Sequence, residues 1–229
     1  MALTDEAMNK IKDMILAGEL SAGDRLPPEK ELSEKLGLSR SSLREAVKAL
    51  EIVRVLDVRR GDGTYVTSLE PQLLNEAISF VVDLHRDSTV LEIFAVRRML
   101  EPAAAGLAAG NMTAEGIAEL RANIASVTAG ETSVEDLVEH DLKFHQLVNR
   151  ASGNNYLMSL LESMSSSTIR ARIWRGLTQE GAAARTLSEH ASIADALERG
   201  DAELAKALVT AHISGVETWL RKAIEEPQA

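Results

Sequence analysis

Apolar residues recur at helical spacing along most of the chain, and the breaks between the runs are short. Near the start, Leu3, Met8, Ile11, Ile15 and Leu16 line one face of a first helix, with Thr4 as its cap and Gly18 as its stop. The loop GELSAGDRLPP leads to a second helix from about Pro28 to Leu36, with proline at its start and Gly37 just past its end. A tight GLS turn opens a third helix from about Ser39 to Leu50, and Ser39 is its natural N-cap. The pattern then changes to strand: Val53, Val55 and Val58, then Thr64, Tyr65 and Val66, flank a Gly-Asp-Gly turn. Three helices followed by a β-hairpin predict a winged helix-turn-helix over residues 1–70.

Beyond Pro71 the spacing stays helical. Helices are expected over 72–85, 89–108, 113–128, 133–151, 154–173, 178–199 and 201–225. Links as short as ERGD at 198–201 make neighbouring helices antiparallel. The expected fold is therefore mainly α: a winged helix-turn-helix at 1–70, then an all-α antiparallel helical bundle over 71–229.

Composition narrows the chemistry. Cysteine is absent, so disulfides, thiolate zinc sites, iron–sulfur clusters and thiol nucleophiles are all excluded. The start, MALTDEAMNK, lacks a signal-peptide pattern, and no run of about 18 apolar residues is present; a cytoplasmic protein with no membrane partner is expected. The formal net charge is −10, which argues against wrapping nucleic acid by bulk electrostatics. That acidity is uneven. Residues 1–66 carry a net −1 and residues 67–229 a net −9, while Arg25 to Arg60 is net +3.

The basic residues of the first region sit where such a fold meets DNA. The third helix opens Ser39-Arg40-Ser41-Ser42-Leu43-Arg44, and its N-terminal end would face base edges in the major groove. Arg40 and Arg44 are four apart and share a face, and arginine is the commonest bidentate reader of guanine. Ser39, Ser41, Ser42 and Lys30 are suited to phosphates, and Arg59, Arg60 and Gly61 fall at the hairpin turn. The competing reading is an ordinary solvated helix start, with Arg44 paired to a nearby acid.

All five histidines lie in the second region: His85, His140, His145, His190 and His212. Asp141 and His145 are four apart on one helix and face one way, while His190 and His212 fall on two further helices. Together they would offer three nitrogens and one oxygen, a set that suits Zn²⁺ and also Ni²⁺ or Mn²⁺. Taken singly, a histidine on such a face is more often an ordinary core or surface residue. His85 and His140 keep that reading, since His140 points about 100° away from Asp141. Arg170, Arg172 and Arg175 cannot all face inward; one is expected to reach a pocket with Trp174 as its wall, or the group is a solvated face.

The stretch GDRLPPEKELSEKLGLSRSSLREAVKALE, followed by VRRGDGTYV, resembles the N-terminal domain of GntR-family transcription regulators over about residues 5–67. The resemblance implies a homodimer on double-stranded palindromic operator DNA, with Lys30, Ser39, Arg40, Ser41, Arg44, Arg60 and Gly61 at the contacting positions. One departure is clear: Leu50-Glu51-Ile52-Val53-Arg54-Val55-Leu56 lacks the glycine usual before the hairpin. Further on, DLKFHQLVNRASGN and EHASIADALERGDAELAKALVTAH are similar to the FCD domain over about residues 73–222. That likeness maps a divalent metal, zinc first, onto Asp141, His145, His190 and His212. It also places an arginine for an effector carboxylate on the helix holding Arg97-Arg98-Met-Leu-Glu101, with Arg97 favoured. A surface ion pair with Glu92 or Glu101 is the alternative. The function implied is a transcription regulator, acting as a repressor, whose operator affinity answers to a small organic or sugar acid. It is not expected to be an enzyme. The alternative is a metal-dependent hydrolase with an appended DNA-binding head, although no HExxH helix is present. A purely structural metal is a third reading.

Overall fold

Ala7, Ile11 and Met14 recur four and three apart and form the buried face of helix α1, Leu3–Leu16. The computed structural model describes residues 3–71, 89–128 and 130–225. The helix expected over 72–85, with His85, lies outside them. By contacts the chain divides into two compact units, Met1–Ala77 and Ile78–Ala229.

In the first unit α1 takes in Thr4, which therefore does not cap it, and stops at Gly18, whose φ of +74° suits glycine. Helix α2, Glu29–Leu36, follows Pro28 and ends at Gly37 in the left-handed region, where Leu38 N donates to Ser33 O at 2.9 Å. Helix α3, Arg40–Ile52, begins under Ser39, whose hydroxyl accepts from Ser42 N at 3.1 Å. Strands β1, Leu56–Arg59, and β2, Gly63–Val66, pair antiparallel with Leu56 opposite Val66 and Arg59 opposite Gly63. Leu32, Leu43, Ala46, Leu50, Leu56 and Val66 close a core with the α1 face.

The missing glycine before the hairpin has a structural answer. Arg54 itself adopts φ +60°, in the region that glycine normally fills. The helix ends there in the usual two-bond motif: Val55 N donates to Leu50 O at 2.9 Å and Arg54 N to Glu51 O at 3.0 Å. The wing thus leaves α3 through the same turn that glycine makes, at a backbone cost of about 1 kcal/mol.

The second unit is all-helical: α4 Thr89–Asn111, α5 Ala114–Ala125, α6 Val134–Ala151, α7 Asn155–Ser165, a 3₁₀ turn Ser166–Thr168, α8 Ile169–Thr178, α9 Ala182–Glu198 and α10 Ala202–Glu225. Small residues bring α4 close to α10. Ala105, Ala108, Ala109 and Ala205 are buried together, and a methyl on Gly106 would overlap the Lys206 side chain. Phe94, Leu120, Phe144, Ile193, Leu197, Ile213 and Leu220 fill the remaining core, each fully buried apolar side chain contributing roughly 1.5–3 kcal/mol.

One expected helix divides. The segment 154–173 forms two helices broken at Ser166–Thr168, and the second runs on to Thr178. At the break Ser165 Oγ donates to Leu161 O at 3.0 Å and Thr168 Oγ1 to Ser165 O at 2.9 Å. Among the described residues no helix is long and apolar enough to cross a membrane.

Candidate DNA-reading helix and candidate metal centre

The short α2 and the turn at Gly37 leave the first turn of α3 open to solvent. Lys30, Ser39, Arg40, Ser41 and Arg44 are all exposed, as are Arg60 and Gly61 at the hairpin turn. These side chains therefore share one property that DNA contact requires, access to solvent. Ser39 is also occupied as the N-cap, and its hydroxyl lies 3.0 Å from that of Ser41. Arg44 is ion-paired with Glu29 of α2, Nε to Oε2 at 2.8 Å, and that contact holds the Glu29 carboxyl below its ordinary range. The acid partner is on the preceding helix and not a sequence neighbour of Arg44. Gly61 has φ +78°, which only glycine adopts without strain at the hairpin turn.

Two further arginines frame the wing. Arg25 donates to Asp62 O across the turn and bridges Tyr65. Arg59 pairs with Asp57 at 2.9 Å and lies over the Tyr65 ring, 4.2 Å from its centroid. Arg25 stood in the recognised loop motif, but its place against the hairpin depends on chain closure that local spacing does not reveal.

In the second unit the four expected ligands meet. Asp141 and His145 project from one face of α6, His190 comes from α9 and His212 from α10, and their ligand atoms all lie within 4.8 Å of one another. Asp141 Oδ1 is 3.3 Å from His190 Nε2, 3.7 Å from His145 Nε2 and 4.0 Å from His212 Nε2. Two atoms that each bond a common ion at about 2.1 Å are at most about 4.2 Å apart; the three Asp141 separations fall inside that bound, and the cluster's full spread of 4.8 Å would have to tighten by a few tenths of an ångström around an ion. His190 Nε2 is buried without a hydrogen bond, the sort of orphan that a metal ion would satisfy.

Each imidazole is held from behind through Nδ1. His145 Nδ1 lies 2.7 Å from Glu101 Oε2, His212 Nδ1 2.7 Å from Glu189 Oε2, and His190 Nδ1 3.1 Å from His140 Nε2. With Nδ1 donating, every Nε2 keeps its lone pair toward the cluster. His140 in turn places its Nδ1 2.9 Å from Asn123 O, and the Phe144 ring stacks on His190 at 3.7 Å. His140 is thus a hydrogen-bonded core histidine, and its partner is a member of the cluster.

Burial sets the protonation states. It pushes the His190 imidazole down to about 3 and lowers His145 and His140 as well, so the rings are neutral near pH 7. Burial alone would raise the Asp141 carboxyl, but Arg172 and the neighbouring imidazoles outweigh it and hold the group well below the carboxylate range. The same opposition operates at Glu101, where Arg97 and His145 prevail over desolvation.

A cavity of about 70 Å³ opens beside the cluster. Arg97, Arg172 and Arg175 all line it, whereas Arg170 is exposed. Two arginines of the 170–175 cluster therefore turn inward, one more than expected. Arg97 is buried and bonded to Glu101, so the ion pair that the alternative reading put on the surface is an interior one. Its neighbour Arg98 pairs with Glu217 of α10 at 3.0 Å. Arg172 bonds Asp141, and burial lowers its guanidinium to about 10. Trp174 is not in the wall; it is partly exposed and packs edge-on against Trp219.

Spacing pointed to Asp141 and His145, and the family likeness to His190 and His212. Glu101, Glu189, His140, Arg172 and Arg175 were missed or left open, because their roles depend on which helices face each other. The one local signal was the adjacency of His140 to Asp141 and of Glu189 to His190.

Comparison with known proteins bears on both units. Residues 3–66 match the model described as bacterial regulatory proteins, gntR family, and residues 92–215 match the FCD domain. The chain is 30% identical over 218 residues to the HTH-type transcriptional regulator LutR of Bacillus subtilis, covering 93% of this chain and 99% of that one. It is 27% identical to the galactonate operon transcriptional repressor of Escherichia coli, over 89% of this chain and 90% of that one. Among solved structures, Streptococcus agalactiae GntR superposes with a TM-score of 0.68 at 26% identity, covering 94% of this chain and 99% of that one. The solvent-facing third helix with its hairpin, and the all-helical unit that follows in the sequence, are those of a DNA-binding transcription regulator, and the chain belongs to the GntR family with an FCD domain.

Proposed function

We propose that this regulator binds a palindromic operator as a homodimer in the cytoplasm, acting as a repressor. Its operator affinity would be set by a small organic or sugar acid held beside a divalent metal in the helical unit. The observation that carries the reading is the convergence of three buried imidazoles and one carboxylate, with His190 Nε2 unbonded, beside a cavity lined by arginines. Asp141, His145, His190 and His212 would hold the ion. Zn²⁺ is the first choice for this donor set, with Ni²⁺ and Mn²⁺ as alternatives. When bound, the metal supplies a Lewis acid for a ligand oxygen. Arg97 and Arg172 bring positive charge to the cavity for the rest of a carboxylate. Lys30, Ser39, Arg40, Ser41, Arg44, Arg60 and Gly61 are the proposed DNA contacts.

A ligand shifts DNA affinity only if it binds one arrangement of the protein better than another. The test is anisotropy with a DNA fragment that the protein itself selects from a random pool, with and without a panel of carboxylates. Zinc-loaded protein should change DNA affinity by about tenfold or more with at least one acid, and chelator-stripped protein should not. An affinity indifferent to every acid and to stripping would contradict the proposal.

A further inference from the structure

Among the side chains grouped at the start of α2 and α3, one is an acid that touches a DNA reader. Glu29 opens α2 beside Lys30, and its Oε2 accepts a hydrogen bond from Arg44 Nε of α3 at 2.8 Å. Both side chains are open to solvent, 37% for Glu29 and 65% for Arg44. The Arg44 bond is the main reason that the Glu29 carboxyl lies below its ordinary range, and the charge of Arg40, one turn earlier on α3, adds to it. Glu29 is therefore ionised beside both arginines. The helix start alone does not call for it, because Glu31 already supplies an acid to the first turn of α2. A carboxylate here also works against the approach of a duplex, which carries one negative charge per about 1.7 Å of its axis.

We propose that Glu29 sets specificity, opposing the contact of Arg44 with phosphates more than its contact with a base edge; this rests on the reading of Arg44 as a DNA contact. A phosphate that takes Arg44 exchanges one ion pair for another and leaves two anions around one guanidinium, itself and Glu29. A guanine edge is uncharged. It accepts two hydrogen bonds through O6 and N7, and the positive charge still attracts Glu29. The bond to Glu29 runs through Arg44 Nε, and the two Nη groups that can meet such an edge take no part in it. Glu29 thus subtracts from sequence-independent binding, which is almost wholly phosphate contact, and subtracts less from operator binding. It is a repulsive element directed at the wrong partner.

Anisotropy titrations of the full-length protein test this over a range of salt. The probes are a duplex that the protein selects from a random pool and a scrambled duplex of equal length and composition. Glu29→Gln keeps an oxygen for Arg44 Nε and removes the charge. It should tighten binding to the scrambled duplex by about threefold or more and steepen the salt slope there by up to about one. The selected duplex should gain less, so the specificity ratio falls. Glu34→Gln removes the same charge from the same helix, about 140° around it from Glu29, and should leave the ratio unchanged. A wild-type ratio in Glu29→Gln, or an equal fall in Glu34→Gln, would overturn the proposal. Arg44→Ala separates the two levels of the argument. If it binds both duplexes as wild type does, the Arg44 contact itself is wrong. If it weakens binding to the selected duplex while Glu29→Gln keeps the wild-type ratio, the contact stands and the role of Glu29 falls.

Discussion

The two units place their key side chains in opposite environments. In the N-terminal unit Lys30, Arg40, Ser41, Arg44 and Arg60 stand in solvent, and the one clear ion pair among them, Arg44 to Glu29, is itself exposed. Such an exposed, solvent-screened pair contributes little and is readily exchanged for a phosphate or a base. In the helical unit Asp141, His145, His190 and His212 are buried, burial keeps His145 and His190 neutral while Arg172 helps to keep Asp141 ionised, and three of the four are braced from behind. A surface that must meet DNA keeps its charges wet and uncommitted. The buried cluster has its charges committed in advance to one geometry.

Acid should separate the units most strongly. The metal-free native state keeps His190, His145 and His140 neutral, whereas the unfolded chain protonates histidine near 6.5. Their folded values are depressed, so that stability is complete above about 6.5 and is lost as pH falls toward the folded value of about 3 for His190. The depressed Asp141 and Glu101 act in the same direction below about pH 4. Calorimetric scans of metal-free protein should show a helical-unit transition that moves down in temperature by an amount reflecting several kcal/mol between pH 7 and pH 4. The head transition should move far less. Two transitions shifting in parallel would break the contrast.

Next come the exposed readers. Arg40→Ala and Arg44→Ala should each weaken operator binding by about 1–3 kcal/mol if they contact guanine, with no change in metal content. Unchanged anisotropy titrations would remove the assigned face. A brace should matter at comparable size in the other unit. His140→Leu removes the acceptor behind His190 Nδ1 and should lower zinc affinity about 10- to 100-fold, with His140→Gln restoring part of it. Chelator competition measures this, and equal affinity in His140→Leu would show that the contact is incidental. The smallest effect belongs to Arg54→Gly, which should stabilise the head by about 0.5–1 kcal/mol by relieving the left-handed conformation. Denaturant unfolding that shows a loss would mean that Arg54's own contacts outweigh its strain.

The same contrast explains what could be foreseen. In the head, function follows from local order: a cap at Ser39, arginines four apart, a glycine at the hairpin turn. The main miss there was Arg54, where an arginine performs a turn that glycine usually makes. In the helical unit the pair Asp141 and His145 was legible from its spacing, and His190 and His212 from the family likeness. Glu101, Glu189 and Arg172 were not, because an arginine or glutamate on a helix looks alike whether it faces solvent or a buried histidine. The broken helix at Ser166–Thr168 was missed because apolar periodicity continued through it.

The claim on which the account turns is that the helical unit gathers its four residues to hold a metal ion. Elemental mass spectrometry on the full-length protein tests it, comparing wild type with Asp141→Ala and His190→Ala after equal exposure to Zn²⁺ and gel filtration. The account predicts about one zinc per chain in wild type and less than a tenth of that in either variant, with both still helical by circular dichroism. Equal zinc in all three proteins, or none in the wild type, would contradict it.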